Sequence, residues 1–229
     1  MKKVLVVLTN VDKYESGDST GLWLSEATEF VDIIQKAGYQ VDYVSPNGGA
    51  VPIEPRSLKK LYNTKENDSF MKDQDFVERA LKNSLKPSDL NPNNYSAIFY
   101  TGGHAVMYDF YDNKELQDIT LEIYKNNGLI ASVCHGIAGI LNIKNDDGNY
   151  LIKGRKVTGF TKAEECLGGT LSKVPFINNQ EIKKRGAILN KARFFKPHAV
   201  KDGKIITGQN PFSTKKVAHL VVQELRENS

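Results

Sequence analysis

An α/β fold, with a parallel sheet covered by helices on both faces, is predicted for this chain by three observations. Apolar runs of strand length alternate with segments of helical spacing. Two of those runs end in turns that combine glycine with reactive side chains, Thr101-Gly102-Gly103-His104 and Cys134-His135-Gly136. Parallel sheets gather their sites at the carboxyl ends of strands, so the two turns are expected to meet.

The elements follow in order. Val4–Leu8 is an unbroken apolar run, the pattern of a strand buried on both faces. Leu22–Ala37 has helical spacing, with Leu22, Phe30, Ile33 and Ile34 forming a stripe and Gly38 ending it. Tyr39–Val44 is the second strand and Ala97–Tyr100 the third. Leu116–Asn126 is helical, with Gly128 after it, and Leu129–Val133 is the fourth strand. Asn145–Phe160 contains the turn signal Asp146-Asp147-Gly148-Asn149 and Gly154-Arg155, and reads as a hairpin. Lys204–Thr207 is a late strand, and Ser213–Arg226 a closing helix capped by Ser213 or Thr214. Residues 54–94 break the rhythm. They are polar, rich in Lys, Asn and Asp, with Phe76–Leu85 as their clearest helix, and read as an insertion or cap.

At 229 residues one well-buried core suffices, and a single domain with an insertion is expected rather than two domains. The formal charge of +4 is mild and the lysines are scattered, which gives no support to nucleic-acid binding. Lys59-Lys60 and Lys183-Lys184-Arg185 read as solvated surface. Two cysteines, Cys134 and Cys166, are too few for a disulfide scaffold and suit a reducing cytoplasm. The run after Met1-Lys2-Lys3 is too short for a signal peptide, and no stretch is long enough to cross a membrane.

The sharpest chemical signal is Cys134 on the turn from strand to helix, where a helix N-terminus favours the nucleophilic thiolate. A cysteine after an apolar strand is commonly just a small buried hydrophobe. A polar His135 and a permissive Gly136 directly after it argue against that. Adjacent side chains in a turn face each other poorly, so His135 need not be the direct base. Its backbone N–H is a natural oxyanion donor. Gly102 and Gly103 are an ordinary turn or, read with Cys134, the place where Gly103 supplies a second oxyanion N–H. His104 lines the pocket or ends the turn. On the first helix nothing local separates Glu26 from Glu29, and either Glu164 or Glu165 can orient His135. Cys166 reads as a packed or bystander thiol. His198 and His219 lack metal-ligand spacing, and no zinc pattern, P-loop or dinucleotide fingerprint is present.

Five segments in order, Lys3–Leu8, Thr20–Glu26, Tyr100–His104, Ala131–Gly136 and Thr158–Glu165, with Thr207-Gly208-Gln209-Asn210-Pro211 near the end, resemble the ThiJ/PfpI superfamily. The closer resemblance is to its heat-shock chaperone and glyoxalase III branch. It implies a flavodoxin-like three-layer sandwich with a mostly parallel sheet, of the class I glutamine amidotransferase type. It assigns Cys134 as nucleophile, Glu26 as the carboxylate that hydrogen-bonds it and acts as general acid/base, and His135 with Glu165 as the remainder of a Cys-His-Glu set. Gly103 and His135 become the oxyanion donors, with Gly102 and His104 beside them. The two-histidine, one-carboxylate metal site of larger branch members is not traceable, so no metal and no cofactor are expected. The implied reaction is glutathione-independent conversion of methylglyoxal, a 2-oxoaldehyde, to lactate, in a homodimer. Two alternatives stand beside it: a cysteine amidase or peptidase, and a stress-response holdase chaperone or redox sensor.

Overall fold

The computed structural model describes residues 3–228. Among the described residues eight strands occur in order: β1 Lys3–Val7, β2 Val41–Val44, β3 Tyr95–Tyr100, β4 Leu129–Val133, β5 Lys156–Val157, β6 Ile188–Leu189, β7 Ala199–Asp202 and β8 Ile205–Gly208. Six form one sheet in the order β2-β1-β3-β4-β8-β7. All its neighbours are parallel except β7, which closes the edge antiparallel to β8 around Gly203. The predicted mostly parallel α/β sandwich is therefore what forms.

Alternation along each strand sorts the core into two clusters. Val4, Val6, Phe99, Ala131 and Val133 pack on one face with Phe30, Val31 and Ile34 of α1 (Leu24–Lys36) and with Val217, Val221 and Leu225 of the closing helix Thr214–Glu227. Phe30 stacks on Phe99 with ring centroids 3.6 Å apart. On the other face Leu5, Val7, Ile98, Tyr100 and Ile130 meet Leu116, Ile119 and Ile123 of the helix Lys114–Lys125. Each such side chain, fully buried, contributes about 1.5–3 kcal/mol.

Three expectations change. The turn after Asn145 forms, with a bridge between Lys144 and Tyr150, but the hairpin stops there. A second reversal at Gly154 redirects the chain, and β5 pairs in parallel with β6. The expected helix over Phe76–Leu85 is a short helix, Gln74–Phe76, running into a π-helical turn, Val77–Lys82. Ser213 stands at the start of the closing helix, yet its hydroxyl makes no cap and accepts instead from the His198 N–H at 3.0 Å.

The segment 54–94 divides in two. Arg56, Lys59 and Tyr62 line a cavity that also reaches Cys134, as a cap would. Phe70, Phe76 and Ala80 are buried in the core, and Leu85 bridges to Val44 beside the sheet edge, so that part belongs to the body of the domain.

Asp109 ties the loop after β1 to the short helix Val106–Asp109: one carboxylate oxygen accepts from Thr9 Oγ1 at 2.9 Å and from the Asn10 N–H at 2.8 Å. The other is buried without a partner. Burial outweighs the hydrogen bonds and raises its pKa to about 7. A raised carboxyl pKa gives stability that is complete below the unfolded value, near pH 4, and lost as pH climbs through about 7. Asp109→Asn should therefore match the parent in stability at pH 4 and gain about 4 kcal/mol on it by pH 8, at about 1.4 kcal/mol for each pH unit between the unfolded and folded values. Thermal melts across that range test this, and a gap independent of pH would contradict it.

Candidate active site

Cys134 follows β4 directly and opens a four-residue 3-10 turn, Cys134–Ile137. Its φ of 59° is left-handed, a conformation that costs a side-chain-bearing residue about 1–3 kcal/mol and recurs where a nucleophile is projected from a strand. The end of β3 lies alongside, so Gly102 and Gly103 stand next to the thiol. A Cβ on Gly102 would come within 2.5 Å of Glu26 Oε2 and 2.9 Å of Cys134 Cβ. One on Gly103, whose φ is 106°, would meet Gly21 O at 2.3 Å. Neither position has room for a side chain.

Glu26 is wholly buried in the first turn of α1 and faces the Cys134 thiol. Oε2 accepts the Gly102 N–H at 2.6 Å, while Oε1 has no hydrogen-bond partner of its own. Burial raises its pKa to about 8 despite those contacts. Glu29, one turn on, faces Lys215 of the closing helix at 3.5 Å and plays no part here. The Gly102 N–H is thus spent on orienting Glu26, while the Gly103 N–H has no protein acceptor among the described residues.

His135 does reach the thiol: Nδ1 lies 3.2 Å from Cys134 Sγ, because the left-handed φ of Cys134 swings the two side chains to one side. His135 Nε2 lies 2.6 Å from Glu165 Oε1. Glu165, rather than Glu164, completes the set. Burial opposes its ionisation, but the His135 charge and hydrogen bonds from both histidines outweigh burial and hold its carboxyl well below the usual range. Glu164 is a structural cornerstone, accepting from Thr161, Gln209, Asn210 and the Phe195 N–H.

His104 belongs to the network as well. Its Nε2 is 3.1 Å from Glu165 Oε2, and its Nδ1 is 2.7 Å from an Arg56 guanidinium nitrogen. Arginine only donates, so Nδ1 must be the acceptor and Nε2–H the donor to Glu165. Burial, aided by the His135 charge, lowers the His104 pKa to about 4, which keeps the ring neutral. His104, His135 and Glu165 also form a cluster whose potential ligand atoms lie within 4.8 Å of one another. The tautomer argues against a metal there, since a protonated Nε2 offers no lone pair and a guanidinium sits behind it.

The thiol itself departs from expectation. Burial, then the negative charge of Glu26, push the Cys134 pKa well up, and the N–H of His135 only partly opposes them. The 3-10 turn runs directly into the short α-helix Ala138–Leu141, whose N-terminal dipole works against that burial. Cys166, expected as a packed or bystander thiol, is exposed, which leaves the bystander reading.

The set opens into a cavity of about 200 Å³ lined by Trp23, Tyr62, Phe160, Phe195 and Phe212 together with Gly103, His104, Cys134 and His135. Sequence reasoning singled out the segments that carry Trp23 and Phe160, Thr20–Glu26 and Thr158–Glu165. It missed Arg56, Tyr62, Thr170, Phe195 and Phe212, which lie in segments with no motif. The only local trace is Arg56 two residues after Glu54, whose carboxylate it grips at 2.8 Å.

Sequence and fold are both similar to known proteins. The sequence pattern of the DJ-1/PfpI family matches residues 2–224. The glutathione-independent glyoxalase HSP31 of Saccharomyces cerevisiae is 34% identical, over 98% of each chain. The crystal structure of glyoxalase III from Candida albicans superposes with a TM-score of 0.86 at 32% identity, covering 97% of this chain and 96% of that one. The Rapid Encystment Protein 24 KDa of Francisella tularensis superposes at 0.94 with 37% identity, covering 98% and 99%.

Proposed function

Since the chain belongs to the DJ-1/PfpI family, we propose that it is a glutathione-independent glyoxalase, the activity its relatives are named for, and that it converts methylglyoxal and water to lactate. The observation that carries this reading is a buried, solvent-excluded carboxyl, Glu26, set against the Cys134 thiol. Acyl transfer needs the Cys-His-Glu set alone. Moving a proton between adjacent carbons needs a further base with a pKa near neutrality, and Glu26 is that group.

His135 Nδ1 takes the thiol proton, and the sulfur adds to the aldehyde carbon. The resulting alkoxide faces the N–H groups of Gly103 and His135, each such donor being worth about 3 kcal/mol, and recovers the proton as a hemithioacetal. Ionised Glu26 then removes the hydrogen on that carbon as a proton and returns it to the neighbouring carbon through an enediol, while the hydroxyl proton passes to the second oxygen. The product is a lactoyl thioester on Cys134. Water attacks it, lactate leaves and the thiol is restored. No electron acceptor is consumed, because the aldehyde carbon is oxidised as the ketone carbon is reduced. A homodimer and a cytoplasmic setting are part of the same reading, supported by family membership and by two cysteines that are both free.

The test is incubation with methylglyoxal in the absence of glutathione, following lactate and dicarbonyl together, with Cys134→Ser in parallel. Lactate from the parent and none from the variant is the expected result. Dicarbonyl loss without lactate would mean simple thiol trapping and would sink the proposal.

A further inference from the structure

Methylglyoxal has five non-hydrogen atoms and needs on the order of 100 Å³, three to four times the share of one water. The cavity offers about 200 Å³, and the surplus is bounded by rings. Two aromatic walls rise from the catalytic floor. On one side the His135 ring is followed by Phe160, with centroids 4.6 Å apart, and then by Phe195 at 6.4 Å. On the other side Trp23 meets Tyr62 edge-on at 5.0 Å, and Tyr62 meets Phe212 at 6.5 Å. Exposure climbs outward along both, from 8% at Phe160 to 37% at Phe195 and from 9% at Trp23 to 44% at Phe212. The slot is therefore walled by rings from the reacting carbons to its mouth, with the exposed Lys59 and the hydroxyl of Thr170 as the polar groups beside them.

Phe195 is not there by default. Its φ of 54° is strained for a bulky residue, and its N–H is held at 2.9 Å by the buried Glu164 carboxylate. Backbone strain of this kind persists where the surroundings enforce it. The deepest cation in the lining, Arg56, is already engaged by Glu54, Tyr14 and His104, which leaves it little capacity to receive an anionic substituent.

We propose, building on the glyoxalase reading, that the site prefers arylglyoxals, 2-oxoaldehydes whose ketone carbon carries a flat aromatic ring, and seats that ring between Phe160–Phe195 and Trp23–Tyr62–Phe212. Ring packing and exclusion of water supply the preference. The chemistry at the two carbonyl carbons is unchanged, and the product is the corresponding aryl hydroxy acid.

The experiment compares kcat/KM for phenylglyoxal and methylglyoxal, reading mandelate and lactate as initial rates before phenylglyoxal modifies arginines. The parent should favour phenylglyoxal by about tenfold or more, the scale on which a pocket discriminates apolar groups. Phe195→Ala and Phe212→Ala should each lower the phenylglyoxal-to-methylglyoxal ratio several-fold. The ratio is internal to each variant, so partial unfolding does not mimic the effect. A parent ratio near one, or variants in which the ratio is constant, would overturn the preference while leaving the glyoxalase reading intact. Absence of both hydroxy acids would overturn the glyoxalase reading itself.

Discussion

Glu26→Gln should abolish lactate formation, by about a thousandfold or more in kcat, and at the same time make the protein more stable at alkaline pH. The first effect follows from the loss of the base proposed to move a proton between the two carbons; general acid–base catalysis is typically worth 10²–10⁴-fold. The second follows from burial. The Glu26 carboxyl, with a pKa raised to about 8, contributes stability that is complete below its unfolded value near 4.5 and is lost as pH rises through 8. At about 1.4 kcal/mol per unit, the parent gives up a few kcal/mol over that window, and a neutral amide gives up none. Thermal melts at pH 5 and pH 8.5 should show the variant gaining on the parent as pH rises. The same titration shapes activity. The Glu26–Cys134 pair must shed a proton before Glu26 can act as base, so kcat/KM of the parent should climb toward pH 8, with an apparent pKa that belongs to the pair. A variant that loses activity but gains no stability at pH 8.5 would mean that Glu26 is ionised at rest. A fully active variant would remove Glu26 from the mechanism.

Glu165→Gln should lower kcat about 10³–10⁴-fold with little change in fold, the scale on which a triad fails when its orienting carboxylate becomes an amide. Glu165 accepts from both imidazoles, His135 on Oε1 and His104 on Oε2. An amide has one acceptor and one donor, so one histidine must surrender its Nε2 proton. His104 cannot, because its Nδ1 is held as an acceptor by Arg56. The amide nitrogen must therefore face His135, whose proton moves to Nδ1, beside the thiol it should deprotonate. Nitrogen-15 chemical shifts of the two rings would report this directly: His104 unchanged, His135 switched to the Nδ1–H tautomer. Retained activity, or a switch at His104, would refute the account.

Both results turn on groups the sequence reading valued unevenly. Cys134, His135, Gly102 and Gly103 were legible because their chemistry is local: an apolar strand, a turn, a nucleophile, all within a few consecutive residues. Glu26 and Glu165 were singled out by the family resemblance, whereas the residues alone left Glu29 and Glu164 as equals. What separates them is the face each presents, Glu26 to the thiol and Glu29 to Lys215. On the second pair, Glu165 meets His135 while Glu164 gathers loop donors. The hairpin over Asn145–Phe160 failed as an expectation because Gly154 turns the chain toward a partner strand more than thirty residues downstream, beyond any local signal.

The sequence by itself determined the α/β alternation, the parallel core and the placing of a thiol at a strand end, because side-chain periodicity and turn chemistry act over neighbours along the chain. Only the tertiary structure decided the protonation of the site. Desolvation raised the Cys134 thiol against the expected pull of a helix terminus, Arg56 fixed the tautomer of His104 from 48 residues away, and Phe195 and Phe212 completed the slot. Dielectric environment and charge at a point depend on everything packed around that point, whatever its distance in sequence.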